Sequence, residues 1–478
     1  MFVHEGKHVV DHLHGLGPER SVVPTTPQRE GKNYSNSVCQ VTSRNVTALN
    51  LAQPWRTPPP QAGKGTGWVM NHKGMKLIVT NHHVIANTNN IKVQFPISGS
   101  TEYEVQVLAD CPAKDIAILK LVAKHSAFES EIEALNVFTN PIPRAAAVEA
   151  VGFPLGQCGQ KVTAGIFSGN QSMPGGKTFL QTSAPLNHGN SGGPLIYNNQ
   201  VVGINSAIIP GANNVGYSIP IHVLEAVLRG YEANKTSDIN KKVFLNVPVV
   251  GVFWQNTTTD MAKYLKNGDT KGVYASWVLP GSMLHSQGIR SGMQITAISF
   301  PNFQSFPDMS GPGRRNVANN GELKVGWTDV PVHISSIFDR MQVNDNIILH
   351  TKANGEAEKA IPISYKQVDP RAVKPIFKSD PDNQLKYVVV GGMVVSQMMY
   401  NHVAVFMQVN PTLAKFLDPI KLLDNALIIT HIFAGSAAID SKCFAPGMLL
   451  NEVNGQKVST IEQLQAALAA PSEQVSFR

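Results

Sequence analysis

Four cysteines in 478 residues, Cys39, Cys111, Cys158 and Cys443, show no C-x-x-C spacing, which argues against a dense disulfide framework and against a cysteine zinc site. Charge is scarce too: 15% of residues are charged, the formal net charge is +7, and no basic block exceeds pairs such as Arg314-Arg315 and Lys241-Lys242. Nucleic-acid binding therefore has no specific support. Long apolar runs are missing. The most apolar stretch, Val388 to Val395, is too short to span a bilayer and reads as a buried strand. Met1 to Arg20 interleaves histidines, glycines and charges without a continuous apolar h-region, so no secretory signal is visible and an intracellular location, of unspecified compartment, is expected. His4, His8, His12 and His14 in that stretch read as a solvated arm rather than a metal site, and neither a metal nor a cofactor is expected. With 42% hydrophobic residues the chain has ample material for packed cores, and at ~150 residues per domain its length suits about three.

The chemistry is concentrated in three blocks. Gly189-Asn190-Ser191-Gly192-Gly193-Pro194-Leu195 puts a serine between glycines, where a sharp turn can expose its hydroxyl and converge backbone N–H groups on one point. Thr80-Asn81-His82-His83-Val84 and Asp115-Ile116-Ala117-Ile118-Leu119 precede it, in the order His, Asp, Ser. A serine hydroxyl is a poor nucleophile at neutral pH and needs a base that titrates near pH 7, which is histidine. A carboxylate must then fix the imidazole tautomer and stabilise the imidazolium. Asp115 is the candidate carboxylate, and the backbone of Gly189, Asn190 and Ser191 the candidate oxyanion hole.

These blocks resemble the catalytic motifs of the HtrA/Deg serine proteases. Gly63 to Val69, Val151 to Gly156, Val162 to Gly169 and Val202 to Ile208 extend the resemblance over roughly residues 37 to 235, and Gln53-Pro54-Trp55 is most like the plant and algal Deg branch. The resemblance implies His83, immediately before the valine, as the base, and leaves His82 as a surface or packing residue. It also implies that the floor of the primary substrate pocket comes from the residue six before the serine, Pro185, beside Leu186, with Ser206, Ala207 and Ile208 as the opposite wall. No carboxylate lies between Gln181 and Ser191, so small to medium apolar side chains are expected there. Two departures stand out. His188 occupies the place of a common proline, and Ser183 that of a frequent aspartate.

Punctuation divides the chain. Residues 1–36, rich in glycine, proline and polar residues, read as a flexible arm. Residues 37–235 suit two six-stranded antiparallel barrels closed by a helix over Pro220 to Arg229, with a linker from Asn234 to Lys242. Residues 243–368, with an insertion near 301–322, resemble a PDZ domain whose peptide-binding loop is Val250, Gly251, Val252 and Phe253. Residues 385–478 repeat the same order of motifs as a divergent PDZ-like unit, with its loop near Gly391 to Val394 and a helix over Ile461 to Leu468. That unit reads equally as a peptide site or as a docking module. The expectation is a mainly β, ATP-independent serine endopeptidase acting on unfolded or damaged proteins, without cofactor, with peptide C-termini as further partners. By resemblance it assembles as trimers or multiples of trimers. The competing class is an inactive chaperone or scaffold that binds chain ends.

Overall fold

The computed structural model describes residues 33–478 apart from 47–49, 57–60, 87, 89, 158, 174–176, 209–214, 239, 269, 302–312, 327, 367–384, 419–420, 422–423 and 470–474. Residues 1–32 of the expected arm lie outside the described residues. Its last residues are built into the fold: Tyr34 is buried and its hydroxyl donates to Glu149 Oε2 at 3.0 Å.

Short β-branched runs form β1 (Val38–Val46), β2 (Gln61–His72), β3 (Met75–Thr80), β4 (Asn90–Gln94), β5 (Glu102–Cys111) and β6 (Ile116–Leu121). Side chains on β4 alternate between half-buried and buried, as a strand with one face on a core requires. These strands close into a first barrel through pairing of β5 with β6. A single helical turn, α1 (His82–Ile85), follows β3, and α2 (Ser126–Glu131) follows β6. The second barrel contains β7 (Ala147–Gly152), β8 (Lys161–Met173), β9 (Lys177–Thr182), β10 (Pro194–Tyr197), β11 (Gln200–Ile208) and β12 (Gly216–Pro220), closed in the order β10-β11-β12-β9-β8-β7. Closure removes the open edges that would otherwise invite intermolecular pairing. A core containing Trp68, Leu77, Val79, Val151, Phe153 and Ile204 joins the barrels.

The expected closing helix is α3 (Ile221–Asn234), with Pro220 as its N-cap and Ile221, Leu224, Val227, Leu228 and Tyr231 on its buried face. It runs beyond Arg229. The linker then delivers β13 (Val243–Phe244), which pairs in parallel with β5 at Ala109 and Asp110.

Two α+β units follow. In the first, β14 (Val252–Gln255), β15 (Val273–Val278), β16 (Gln294–Ser299), β20 (Asn346–Lys352) and β21 (Lys359–Ser364) form a sheet with β14 at one edge. β17 (Arg314–Asn316) pairs with β16, so the sheet resumes at Arg314, within the expected insertion. A small hairpin, β18 (Glu322–Val325) and β19 (Thr328–His333), leads to α6 (Ser335–Arg340), after the short helices α4 (Thr259–Tyr264) and α5 (Met283–Ser286). Every residue of α6 is buried. It packs against β9 and α3, where the Thr178 and Ser335 hydroxyls lie 2.7 Å apart and Arg229 donates to the Arg340 carbonyl at 2.9 Å. At the same interface Lys114 Nζ meets Asp339 Oδ1 at 2.8 Å, with the two side chains 10% and 6% exposed.

In the second unit Val388 to Val395 is not one strand. It is a hairpin of β22 (Tyr387–Val390) and β23 (Met393–Gln397), turned at Gly391 and Gly392, whose φ of 58° and 86° fit glycine. β24 (Leu427–Ile432) and β25 (Leu449–Leu450) complete that sheet, α7 (Tyr400–Phe406) and α8 (Ala437–Ser441) pack on it, and α9 (Ile461–Ala469) lies against β22.

Two stability predictions follow from buried charge. Asp339→Ala strands the Lys114 ammonium in the interface and lowers unfolding free energy by about 3 to 5 kcal/mol, whereas the joint change Lys114→Met with Asp339→Leu recovers most of it in urea titrations. Burial holds the His402 imidazole down to about 4 from 6.5. Between those pH values the unfolded chain binds a proton that the native chain refuses. Stability present above pH 6.5 is therefore lost as pH falls, by roughly 3 kcal/mol at about pH 4, and His402→Gln flattens that slope.

Candidate active site

The three candidate residues approach from separate elements. His83 sits on α1, Asp115 on the turn between β5 and β6, and Ser191 on the loop entering β10. The His83 Nδ1–H donates to Asp115 Oδ1 and Oδ2 at 3.0 and 2.9 Å, and the His83 backbone N–H donates to Oδ1 at 3.0 Å. Asp115 adopts a left-handed conformation, φ 54° and ψ 42°, which is strained for a residue with a Cβ. Its surroundings hold it there. Its N–H donates to the Pro112 carbonyl, the Asn81 amide donates to its carbonyl at 2.9 Å, and the Ser206 hydroxyl donates to Oδ2 at 2.8 Å. Burial pushes the Asp115 carboxyl up, but the His83 hydrogen bonds and charge and the Ser206 hydroxyl outweigh it and hold the group below the usual carboxylate range.

Ser206, expected as part of the pocket wall, also braces the carboxylate with its side chain. Its carbonyl accepts from Ser191 Oγ at 3.4 Å, and no hydrogen bond joins Ser191 to His83 among the described residues. Loose nucleophile–base geometry is common in a site without substrate.

The loop around Ser191 is fixed by its backbone. Gly189 and Gly192 have φ of 98° and 85°, and a Cβ on either would sit 2.3 or 2.2 Å from the Phe153 or Thr66 carbonyl oxygen. The Thr66 hydroxyl donates to the Gly189 carbonyl at 2.7 Å, the Thr66 N–H to the Ser191 carbonyl at 2.9 Å, and the Leu155 N–H to the His188 carbonyl at 2.6 Å. The Asn190 N–H is spent on the Asn187 carbonyl at 3.0 Å, so of the three expected oxyanion residues Asn190 offers no N–H. The Gly189 and Ser191 N–H groups have no acceptor among the described residues.

Pro185 is exposed and its carbonyl accepts from the Thr163 hydroxyl at 2.9 Å. Leu186 is half-buried, and a Cβ on Gly216 would meet its Cδ1 at 2.6 Å. Ala207 and Ile208 pair with Tyr217 and Gly216, but their side chains lie outside the described residues. His82 is not a surface residue: it is buried, with Nδ1 2.6 Å from Asp110 Oδ1.

In the first α+β unit Val250 and Val252 are buried, Gly251 has φ 67°, and Phe253 meets Trp277 edge-on. Trp254 stacks on Phe338 of α6 with ring centroids 6.2 Å apart. Gly251 and Gly392 are matching positions, because a Cβ on each would overlap the Cβ of Ser282 or Ser436 at 2.2 or 2.0 Å. The strands they precede differ in one respect. Among the described residues β14 pairs only with β15 and leaves one edge free, whereas β23 is covered by β22. A cavity of about 900 Å³ in the first unit, lined in part by Lys271, Arg314, Lys324 and Lys352, contains none of the catalytic candidates.

A family profile described as trypsin-like peptidase domain matches residues 65–204. The chain is 31% identical over 271 residues to a probable serine protease do-like of Buchnera aphidicola, covering 55% of this chain and 53% of that protein. It is 27% identical over 294 residues to the periplasmic serine endoprotease DegP of Escherichia coli, covering 59% of this chain and 56% of DegP. The chain is a relative of the HtrA/Deg serine proteases. It spans about half the length of these curated relatives. Among solved structures, the HtrA-type protease AlgW with tripeptide aligns at TM-score 0.47 and 22% identity, covering 73% of this chain and 96% of that one. The expected intracellular location is corrected by this kinship. The DegP match is named a periplasmic enzyme, which speaks against the intracellular expectation, and the composition of residues 1–20 does not decide the location.

Ser206 and Asn81 escaped the sequence reading as supports of Asp115, although Asn81 stands inside the histidine block. Ser206→Ala removes one hydrogen bond to the carboxylate, worth ~1 kcal/mol, and lowers kcat on an unfolded substrate roughly five-fold with KM unchanged in steady-state assays.

Proposed function

We propose that this HtrA/Deg relative is a serine endopeptidase that cleaves unfolded proteins through Ser191, His83 and Asp115. The observation that carries this reading is the His83–Asp115 couple, with Nδ1 between both carboxylate oxygens and Ser206 bonded to the same carboxylate and to Ser191. The reaction requires the Ser191 hydroxyl to turn from the Ser206 carbonyl to His83 Nε2. The oxygen then attacks the peptide carbonyl while Nε2 takes its proton. The N–H groups of Gly189 and Ser191 receive the developing oxyanion, each worth ~3 kcal/mol. His83 returns the proton to the leaving amine, and water releases the acyl group by the same steps in reverse.

The apolar neighbourhood of Ala184, Pro185 and Leu186 supports cleavage after small to medium apolar residues, since a lysine or arginine would enter with no carboxylate partner. The free β14 edge after Gly251 supports capture of a peptide C-terminus by the first α+β unit, as in β-augmentation. In the second unit β22 already occupies the equivalent edge, which favours docking over capture.

Ser191→Ala abolishes hydrolysis of a reduced and alkylated protein while leaving it bound, and Asp115→Asn lowers kcat by on the order of 10⁴. Full activity in both variants overturns the assignment. Mass-spectrometric mapping of the cuts returns mainly valine, alanine, isoleucine and leucine before the scissile bond, and a majority of lysine and arginine rejects the pocket.

A further inference from the structure

The doubled histidine carries a second His–carboxylate couple that the reaction above does not use. Asp110 is fully buried at the end of β5. Its Oδ1 lies 2.6 Å from His82 Nδ1, and the Lys242 ammonium lies 2.8 Å from its Oδ2. Burial pushes the Asp110 carboxyl up, yet His82 and Lys242 together bring it below the usual range, so it stays ionised, hydrogen-bonded to His82 and ion-paired with Lys242.

The place of this couple gives it meaning. α1 has only four residues, too few to hold its own direction, because one turn of helix bears the full nucleation cost. Neighbours must aim it, and the turn running from Asp110 to Asp115 supplies polar tethers at both ends. Asn81 donates to the Asp115 carbonyl, His83 to the Asp115 carboxylate, and His82 to the Asp110 carboxylate. Val84 and Ile85 bury the remainder. His82 and His83 are consecutive, so the His82 bond constrains the backbone from which the His83 ring projects. Lys242 comes from the linker immediately before β13, and the Leu245 N–H donates to the Asp110 carbonyl at 2.8 Å.

We propose that His82 and Asp110, with Lys242, are positioning residues that aim His83 at Ser191 and tie the aim of the catalytic helix to the linker leading into the first α+β unit. This rests on the triad reading above. His82 touches no substrate, so its loss acts on the rate of chemistry rather than on binding.

The test uses the full chain and a reduced, alkylated protein substrate, at a temperature well below melting of every variant. His82→Ala lowers kcat about 10- to 100-fold, as expected when a reacting group is displaced by an ångström, with KM unchanged. The rate of Ser191 labelling by a fluorophosphonate falls in the same proportion. His82→Asn, whose amide can donate to Asp110 in place of Nδ1–H, restores both to within three-fold. Lys242→Met, at a side chain 29% exposed, lowers both several-fold and keeps the inference testable should His82→Ala fail to fold. Unchanged kcat and labelling in folded His82→Ala, or in Lys242→Met, overturns the inference. Equal losses in His82→Ala and His82→Asn also overturn it, since a purely steric role would not distinguish a hydrogen-bond donor. Ser191→Ala run alongside separates the two readings: if it retains hydrolysis, the triad assignment has failed, and if it alone is inactive while the His82 variants keep full rate, only the positioning role has failed.

Discussion

One short turn, from Asp110 to Asp115, is the constraint on which the chemistry depends. It holds two buried or half-buried carboxylates, one at each end, and each meets one of two consecutive histidines. The turn is costly on its own, since Asp115 adopts a left-handed backbone and both carboxylates leave bulk water. What offsets that cost is a set of four residues from three places: His82 and His83 on α1, Ser206 on β11 and Lys242 in the linker. The Lys114–Asp339 pair grips the same turn from the first α+β unit. Neighbouring elements over-determine its shape, and a strained conformation persists only under that condition.

The two α+β units share a plan and differ at the edge. In each, a glycine of positive φ lies so close to a helix-capping serine that no side chain fits between them. The first unit turns its helix α6 to the barrels and, among the described residues, leaves β14 unpaired on one side. The second covers the matching strand with its own β22 and lays α9 against it. An edge already satisfied by the chain's own backbone has few donors left to offer a guest.

Much of this was legible in the residues because the relevant signals are local. The glycines around Ser191 have to be glycine for steric reasons, and period-two burial along the short β-branched runs marks the barrels. The His, Asp and Ser blocks each carry their meaning within a few positions. What the sequence did not reveal depends on contacts between distant segments. Nothing near His82 announces Asp110, which lies on strand β5 and belongs to no motif, and Ser206 reads as part of the pocket wall, with no local sign that its hydroxyl reaches Asp115. The single strand expected over Val388 to Val395 failed for a different reason: its apolar composition is continuous, and only the glycine pair inside it signals reversal. Composition near residue 1 is a weak guide to location, and the similarity to a periplasmic enzyme stands against the intracellular expectation drawn from it.

Strand β13 has a consequence for the order in which the molecule is made. It fills the side of β5 beside Ala109 and Asp110, beyond the reach of β4, whose pairing with β5 ends at Val105. Its residues emerge from the ribosome only after the whole second barrel and α3 have been synthesised. Until Lys242 and Leu245 arrive, the Asp110 carboxylate lacks its ammonium partner and its carbonyl lacks a donor. The first barrel thus waits on a segment more than a hundred residues downstream of its own last strand. A nascent chain that stops at the end of the second barrel carries His83, Asp115 and Ser191 and still lacks the final brace of the turn that holds Asp110 and Asp115.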